Sequence, residues 1–213
     1  MDPQELPAPT SSRPDPELPL DLRALRFEPL ADRPSKVNLA HLGRPTRPEP
    51  AFADWLDTLP DVLAARGLKR LRDAIITAHG AGRPVAAAVG GHVVKTGCAP
   101  YLIDWMQSGL FNALALNGSA AIHDLELAVA GKTSEDVGTR LIDGTFGFAR
   151  ETSDLFADAC VLAHKTGRGL GEALGEVVTG QGGPGLEQSL LAQAYRARVP
   201  LTVHVAIGTD IVT

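Results

Sequence analysis

The stretch FNALALNGSAAIHDLELAVAG, residues 111–131, decides the fold. Its first half is a short apolar run that stops at Asn117-Gly118, and its second half repeats apolar residues at helical spacing up to Gly131. The stretch therefore predicts a buried strand, a tight turn and a helix. His123, Asp124 and Glu126 lie inside that helix, so an ionisable cluster follows directly after a strand.

Two further apolar runs, at 84–90 and 201–207, predict strands of the same kind, and helical patterns separate them from 111–131. Alternating strands and helices indicate an α/β protein. Because the strands are apolar throughout, both sheet faces should be covered, and we predict a doubly wound parallel sheet with helices on both faces. The three strands should be parallel neighbours.

The remaining helices are predicted from amphipathic spacing and glycine stops. AFADWLDTL, PDVLAARG and LKRLRDAIITAHGAG read as successive helices from Ala51, and APYLIDWMQSG as a helix that ends at Gly109. TSEDVGTRLIDG predicts a helix opened by Thr133 and Asp136 at capping-box spacing.

The N-terminal fifty residues differ from the rest because they hold most of the 16 prolines. Proline removes a backbone donor and disfavours helix before it. We predict a proline-rich extended arm over 1–50, without regular structure up to about residue 20, and an α/β domain over 51–213. The segment 33–45 is a candidate strap that packs against this domain.

Composition excludes several classes of protein. The net charge of −5 argues against a nucleic-acid partner, which would require a basic surplus. No apolar run is long enough to span a bilayer, and the acidic, proline-rich N-terminus is unlike a signal peptide. Two cysteines do not make a disulfide framework. We expect a cytoplasmic protein without a membrane partner.

Small and polar residues follow each predicted strand, where ligands bind in parallel α/β sheets. The sequence predicts that one pocket gathers Gly91, His92, Asn117, His123, Asp124 and Asp210. Three other interpretations stay open: the glycines serve tight turns alone, His123 and Asp124 are structural, or a metal-dependent enzyme uses His92, His123, Asp124 and His204. The sequence lacks the H-E-x-x-H and C-x-x-C metal motifs, and we predict no metal site.

These stretches resemble the cofactor-binding core of deoxyhypusine synthase. VGGHVVKTG, YLIDWMQSGLFNALAL and NGSAAIHDLE follow that family's order of strand, glycine turn, helix, strand and acidic turn, and VPLTVHVAIGTD is similar to its strand ending in Thr-Asp. The block TSEDVGTRLIDGTFGFARET resembles a bacterial branch of the family. The resemblance covers roughly residues 60–213.

The resemblance implies a Rossmann-like fold and an NAD-dependent transferase. Such an enzyme oxidises spermidine and passes the aminobutyl group through an imine on a lysine to a protein lysine. The substrate is then a small amine, the acceptor a protein lysine or another amine, and the assembly a homotetramer of tight dimers.

Carrying the family's cofactor contacts over gives a mixed match. Asp210 falls on an aspartate and Asn117 on a threonine, whereas His123 replaces a glutamate, and His92 and Lys95 replace an asparagine and a serine. Catalytic candidates are His123 and Asp124. The resemblance implies the cofactor-binding residues Gly90, Gly91, His92, Lys95, Thr96, Asn117, Gly118, His123, Asp124, Thr209 and Asp210.

The family's nucleophilic lysine would lie beyond Thr213, and we nominate no lysine of this chain. We therefore expect a C-terminally truncated chain that is inactive alone, with a marginally stable last strand. The alternative function is a non-catalytic nucleotide-binding module of the same fold, or the metal-dependent enzyme above.

Overall fold

The structure is a computed structural model that describes residues 25–42, 52, 56, 63–210 and 212. Within these residues it is an α/β protein with a parallel three-stranded sheet, a separate two-stranded sheet and eight α-helices. In chain order the elements are β1 (Ser35–Asn38), α1 (Leu63–Gly80), β2 (Ala86–Val89), α2 (Gly91–Lys95), α3 (Ala99–Gln107), β3 (Ala113–Asn117), α4 (Gly118–Ala130), β4 (Lys132–Glu135), α5 (Val137–Asp143), α6 (Arg150–Thr166), α7 (Leu170–Gln181), α8 (Leu190–Ala197) and β5 (Leu201–His204).

The parallel sheet confirms the three predicted strands. Its order is β2-β3-β5, with Ala88 opposite Ala115 and Leu116 opposite Val203. All three strands point the same way, so their carboxyl ends share one edge. Residues that follow Val89, Asn117 and His204 are thereby brought to one side of the molecule.

Helix α4 lies at the centre of the core and connects this edge to the interior. Leu125 and Leu127 on α4 are buried with Leu114 and Leu116 of β3. The turn before the helix is closed by Asn117, whose side chain accepts a hydrogen bond from the Ala120 backbone N–H over 2.9 Å. The predicted strand, turn and helix over 111–131 are confirmed.

Strand β4 corrects the predicted helix over 133–144. Thr133 lies in a strand opposite Val37 of β1, in an antiparallel pair. Asp136 is the N-cap of the short helix α5 and accepts from the Thr139 N–H over 2.9 Å. The capping-box interpretation of Thr133 and Asp136 was wrong because β4 depends on a partner strand more than ninety residues away in the chain.

Residues 25–42, which we call the strap, pack against the domain. Leu30 and Arg33 are 1% and 3% exposed, and the Leu30 N–H donates to the Glu151 carboxylate over 2.5 Å. Packing of the predicted strap is confirmed for 33–42, while 43–45 lie outside the described residues. The prediction for residues 1–20 also lies outside them.

Two details differ from the predicted helices and strands. PDVLAARG and LKRLRDAIITAHGAG do not form two helices, because α1 runs through Gly67 without a break from Leu63 to Gly80. Strand β2 is not covered on both faces by described residues, since Ala86 and Ala88 are exposed. AFADWLDTL lies outside the described residues except at 52 and 56. None of the described helices is long and apolar enough to cross a membrane.

Candidate functional site

A pocket of about 240 Å³ opens at the carboxyl edge of the parallel sheet. Its wall combines the strap, the last residue of α2, one face of α4, strand β4, the start of α5 with the loop that follows it, and the chain after β5. We call it the edge pocket; its lining residues are Arg33, Lys95, Ser119, Ile122, His123, Glu126, Ser134, Glu135, Val137, Phe146, Gly147, Thr209, Asp210 and Val212.

Four of the predicted cofactor residues meet in the edge pocket. Lys95 ends the helix that follows β2, His123 lies one turn into the helix that follows β3, and Thr209 and Asp210 follow β5. The parallel topology therefore converts three distant positions in the chain into one surface. Whether these side chains bind a cofactor stays a prediction.

Gly91 and Gly118 lie beside the pocket, but side chains of the protein cover them. A methyl group at Gly91 would collide with Ser119 and come within 3.0 Å of His123 Cδ2. A methyl group at Gly118 would collide with the Asp210 carboxylate. The lack of a side chain at Gly91 allows α2 to lie close to α4, and at Gly118 it allows the chain after β5 to lie close to the start of α4.

Asp124 points away from the edge pocket, although it is adjacent to His123. Its carboxylate accepts hydrogen bonds from the Leu190 and Leu191 backbone N–H groups, at 2.7 and 3.0 Å, and from the Ser189 hydroxyl at 2.6 Å. These are the first free amides of α8, which a carboxylate stabilises. The structure therefore does not place Asp124 with the other predicted pocket residues.

Burial dominates the ionisation of Asp124. It raises the pKa of this carboxyl from 3.8 to about 6, against the lowering effect of the hydrogen bonds from Ser189, Leu191 and Leu190. Asp124 is thus a buried capping residue whose pKa is raised by burial.

The other predicted cofactor residues lie outside the pocket lining. Asn117 caps α4, and Gly90 lies beside the Asn117 amide. His92 and Thr96 are exposed, with the Thr96 hydroxyl donating to the His92 carbonyl oxygen over 2.7 Å. The predicted convergence therefore holds for His123 and Asp210, with Gly91 next to them, and fails for His92, Asn117 and Asp124.

The most buried polar part of the pocket was not predicted as a site. Arg33, Glu126 and Glu135 are 3%, 2% and 7% exposed. An Arg33 guanidinium nitrogen lies 2.8 Å from Glu126 Oε2, and another lies 3.5 Å from Glu135 Oε1. One buried cation from the strap thus joins the carboxylates of α4 and β4.

Both oxygens of the Glu126 carboxylate accept hydrogen bonds. It accepts hydrogen bonds from Arg33, from the Thr133 hydroxyl and, over 3.2 Å, from the Thr152 hydroxyl. Burial alone would raise its pKa, but His123 and Arg33 outweigh burial and hold the pKa below its ordinary value. Glu126 is therefore ionised at neutral pH.

Glu135 behaves in the opposite way. Burial raises its pKa above the ordinary value despite the neighbouring Arg33. Its Oε1 accepts from the Gly147 N–H over 2.6 Å, whereas Oε2 is buried without a hydrogen bond from any described residue. The Arg140 Nε atom lies 3.9 Å from that oxygen. Glu135 is the less firmly held acid of the pocket.

Ser134 adds backbone strain between these groups. Its φ angle of 64° lies in the left-handed region, which a residue other than glycine rarely adopts within a strand. Strained backbone persists where surrounding contacts hold it, often at functional sites. Thr133 and Glu135, on either side of Ser134, are both buried and hydrogen-bonded. These contacts hold Ser134 in the position where it lines the edge pocket.

Sequence reasoning missed Arg33, Ser134 and Glu135 because it did not identify the β1–β4 pair. An arginine and a glutamate that approach only through that pairing leave no local pattern. Glu126 did carry a signal: it lies three residues after His123, on the same helical face.

Within the described ranges, no group of three or more His, Cys, Asp or Glu side chains is arranged to hold a metal ion. His204 contacts Thr202 through Nε2 at 2.9 Å on the exposed surface, and Asp124 faces α8. The four residues of the metal-enzyme interpretation do not form one cluster.

The chain was also compared with known proteins. It matches no protein-family model and no curated protein. The chemistry of the edge pocket therefore has to be argued from its own side chains. They comprise three carboxylates, two cations, one imidazole, several hydroxyls and a few apolar side chains around a small cavity.

Proposed function

We propose that this chain is a deoxyhypusine synthase-like, NAD-dependent transferase. The substrate is spermidine or a related amine, and the aminobutyl group passes to a protein lysine or to another amine. The observation that carries the proposal is the convergence of Lys95, His123 and Asp210 in one pocket, from the ends of three parallel strands. This is where α/β sheets of the Rossmann-like, doubly wound type bind nucleotides.

The edge pocket fits one end of NAD. Asp210 can bond a ribose hydroxyl, and the Lys95 ammonium suits a pyrophosphate. The cavity of about 240 Å³ encloses part of the dinucleotide at most, since drug-sized ligands occupy roughly 300–1,000 Å³. When bound, the nicotinamide supplies a hydride acceptor.

An amine substrate suits the carboxylates of the same pocket. Asp210, Glu126 and Glu135 line it, and Glu126 is already paired with Arg33. Glu135, whose Oε2 accepts no hydrogen bond from a described residue, is then the acid that can meet an ammonium group. The apolar side chains of Ile122, Val137 and Phe146 in the lining suit the methylene chain of a polyamine.

The proposal includes a homo-oligomer, a dimer or tetramer, in the cytoplasm. Helix α5 presents Leu141 and Ile142 to solvent at 63% and 89% exposure, next to pocket residue Val137. Large apolar side chains of this kind commonly mark protein contacts. A second copy beside the edge pocket would shield them.

A second candidate function is a nucleotide-binding module without transferase activity. It is favoured by the lining of the pocket, because the described residues that line it include a single lysine, Lys95. In the proposed placement Lys95 neutralises phosphate, so no other described lysine is at hand to form an imine.

One pair of measurements separates these functions. The purified chain is titrated with NAD by calorimetry and then incubated with NAD and spermidine while NADH absorbance is followed. Binding together with spermidine-dependent NADH supports the transferase, and binding without NADH supports the module. Absence of NAD binding contradicts both.

A further inference from the structure

The edge pocket contains a histidine, His123, whose ring orientation is fixed by a hydrogen bond at Nδ1. His123 Nδ1 lies 2.7 Å from the Thr133 hydroxyl oxygen, and the same hydroxyl is bonded to Glu126 Oε2. Nδ1 also faces that carboxylate oxygen at 3.9 Å. The imidazole thus has acceptors only on its Nδ1 side among the described contacts.

The direction of these hydrogen bonds follows from proton counting. Glu126 is ionised and can only accept, so the single Thr133 proton must be donated to Glu126. The Thr133 oxygen can then only accept from His123. Nδ1 must therefore carry a proton, and in the neutral ring Nε2 carries the lone pair.

Nε2 of His123 is the nitrogen left for a ligand. No hydrogen bond from a described residue reaches it, and the side chain is 18% exposed in a pocket-lining position. Gly91 makes room for the ring, because its missing side chain would come within 3.0 Å of Cδ2.

We propose that His123 is a catalytic proton acceptor through Nε2, and that Thr133 and Glu126 are positioning residues that set its tautomer. This inference rests on the proposed amine oxidation for its chemistry. The ammonium nitrogen of the substrate gives one proton to Nε2 and becomes a neutral amine. A hydride then leaves the adjacent carbon for an acceptor of the nicotinamide class, and the nitrogen lone pair forms the C=N bond of an iminium ion.

The tautomer can be tested without any cofactor or substrate. Long-range ¹H–¹⁵N correlation spectra of the ¹⁵N-labelled chain, recorded with the imidazole neutral, distinguish a protonated nitrogen from a lone-pair nitrogen. We expect His123 to show a protonated Nδ1 and an unprotonated Nε2. A protonated Nε2 in the wild-type chain overturns the proposal.

Two isosteric variants test the positioning role. Thr133→Val removes the hydroxyl between His123 and Glu126, and we expect it to lose the fixed Nδ1–H signature. Thr152→Val is the matched control, because Thr152 donates to the other oxygen of the same carboxylate and is equally buried. It should keep the wild-type tautomer. An unchanged tautomer in Thr133→Val, or an equal change in both variants, contradicts the assignment.

The catalytic role is tested by His123→Gln in the NADH assay, alongside NAD calorimetry. We expect at least a hundredfold lower amine oxidation, in the range of a lost general base, with NAD affinity retained within a few fold. Equal activity of this variant overturns the role of His123. Absence of NAD binding in the wild-type chain would instead refute the proposed function while leaving the tautomer result intact.

Discussion

His123 and Asp124 are consecutive in the sequence but serve opposite sides of helix α4. The His123 side chain lines the edge pocket and bonds Thr133 at 2.7 Å. The Asp124 side chain faces the core, where it bonds the Leu190 N–H at 2.7 Å. An ionisable cluster after a strand is thereby divided between a candidate site and a structural cap.

Asp124→Ala should destabilise the fold without acting on the pocket. It leaves the buried Leu190 and Leu191 N–H groups without their acceptor, at a cost of about 2–4 kcal/mol in the free energy of unfolding. Urea denaturation measures this loss. Asp136→Ala is the matched control, because it removes an N-cap that water can replace, and it should cost much less. An equal effect of both variants would contradict the buried-cap assignment.

The stability of the protein should depend on pH through Asp124. Its folded pKa of about 6 exceeds the ordinary 3.8, so between these values the folded state keeps a proton that the unfolded state gives up. Stability is highest below about pH 4 for this group, and it falls as pH rises to 6, by on the order of 3 kcal/mol in all.

Unfolding free energies of the wild-type chain and Asp124→Asn, measured from pH 4 to 8, isolate this contribution. The difference between the two proteins should change between pH 4 and 6 and stay constant above. A difference that is constant throughout would show that Asp124 titrates equally in both states.

Gly91→Ala should be poorly tolerated, because the new methyl group collides with Ser119 and crowds His123. We expect a loss of about 1–3 kcal/mol in unfolding free energy, as for other overpacked sites. Gly90→Ala is its neighbouring control: the nearest atom, of Asn117, is 3.9 Å away and the φ angle is −95°. Thermal melts of both variants decide the matter, and equal melting temperatures would refute the close approach of α2 and α4.

Arg33→Met should loosen the strap and disturb the pocket together. It leaves Glu126 and Glu135 buried without their shared cation, which typically costs about 3–5 kcal/mol. Lys36→Met, on the same strap, breaks an exposed pair with Asp136 and should leave stability nearly unchanged. Limited proteolysis of the strap, read by mass spectrometry, should show faster cleavage in Arg33→Met alone.

Local patterns were enough to predict the parallel sheet and helix α4. The apolar runs, the Asn117 cap and the Gly131 stop act within a few residues of one another, so the sequence displays them. Strand β4 was missed because its stability comes from β1, which is remote in the chain. Arg33, Ser134 and Glu135 were missed for the same reason.

Prediction from the sequence had a second limit: it did not establish to which side of a helix a residue points. Helical spacing groups His123 with Glu126 but does not tell which face meets α8. Asp124 was therefore expected in the pocket, whereas burial and the open amides of α8 hold it in the core. His92 was expected there because it follows Gly91, but it lies on the exposed side of α2.

The central claim is that the edge pocket binds a nicotinamide nucleotide, and calorimetric titration with NAD tests it most directly. The wild-type chain should bind NAD, and Asp210→Ala should weaken binding at least tenfold, a change of about 1.4 kcal/mol. Asp104→Ala, at an exposed position on α3, should bind as the wild type does. No heat of binding in the wild-type chain, or equal affinity of Asp210→Ala, would contradict the account.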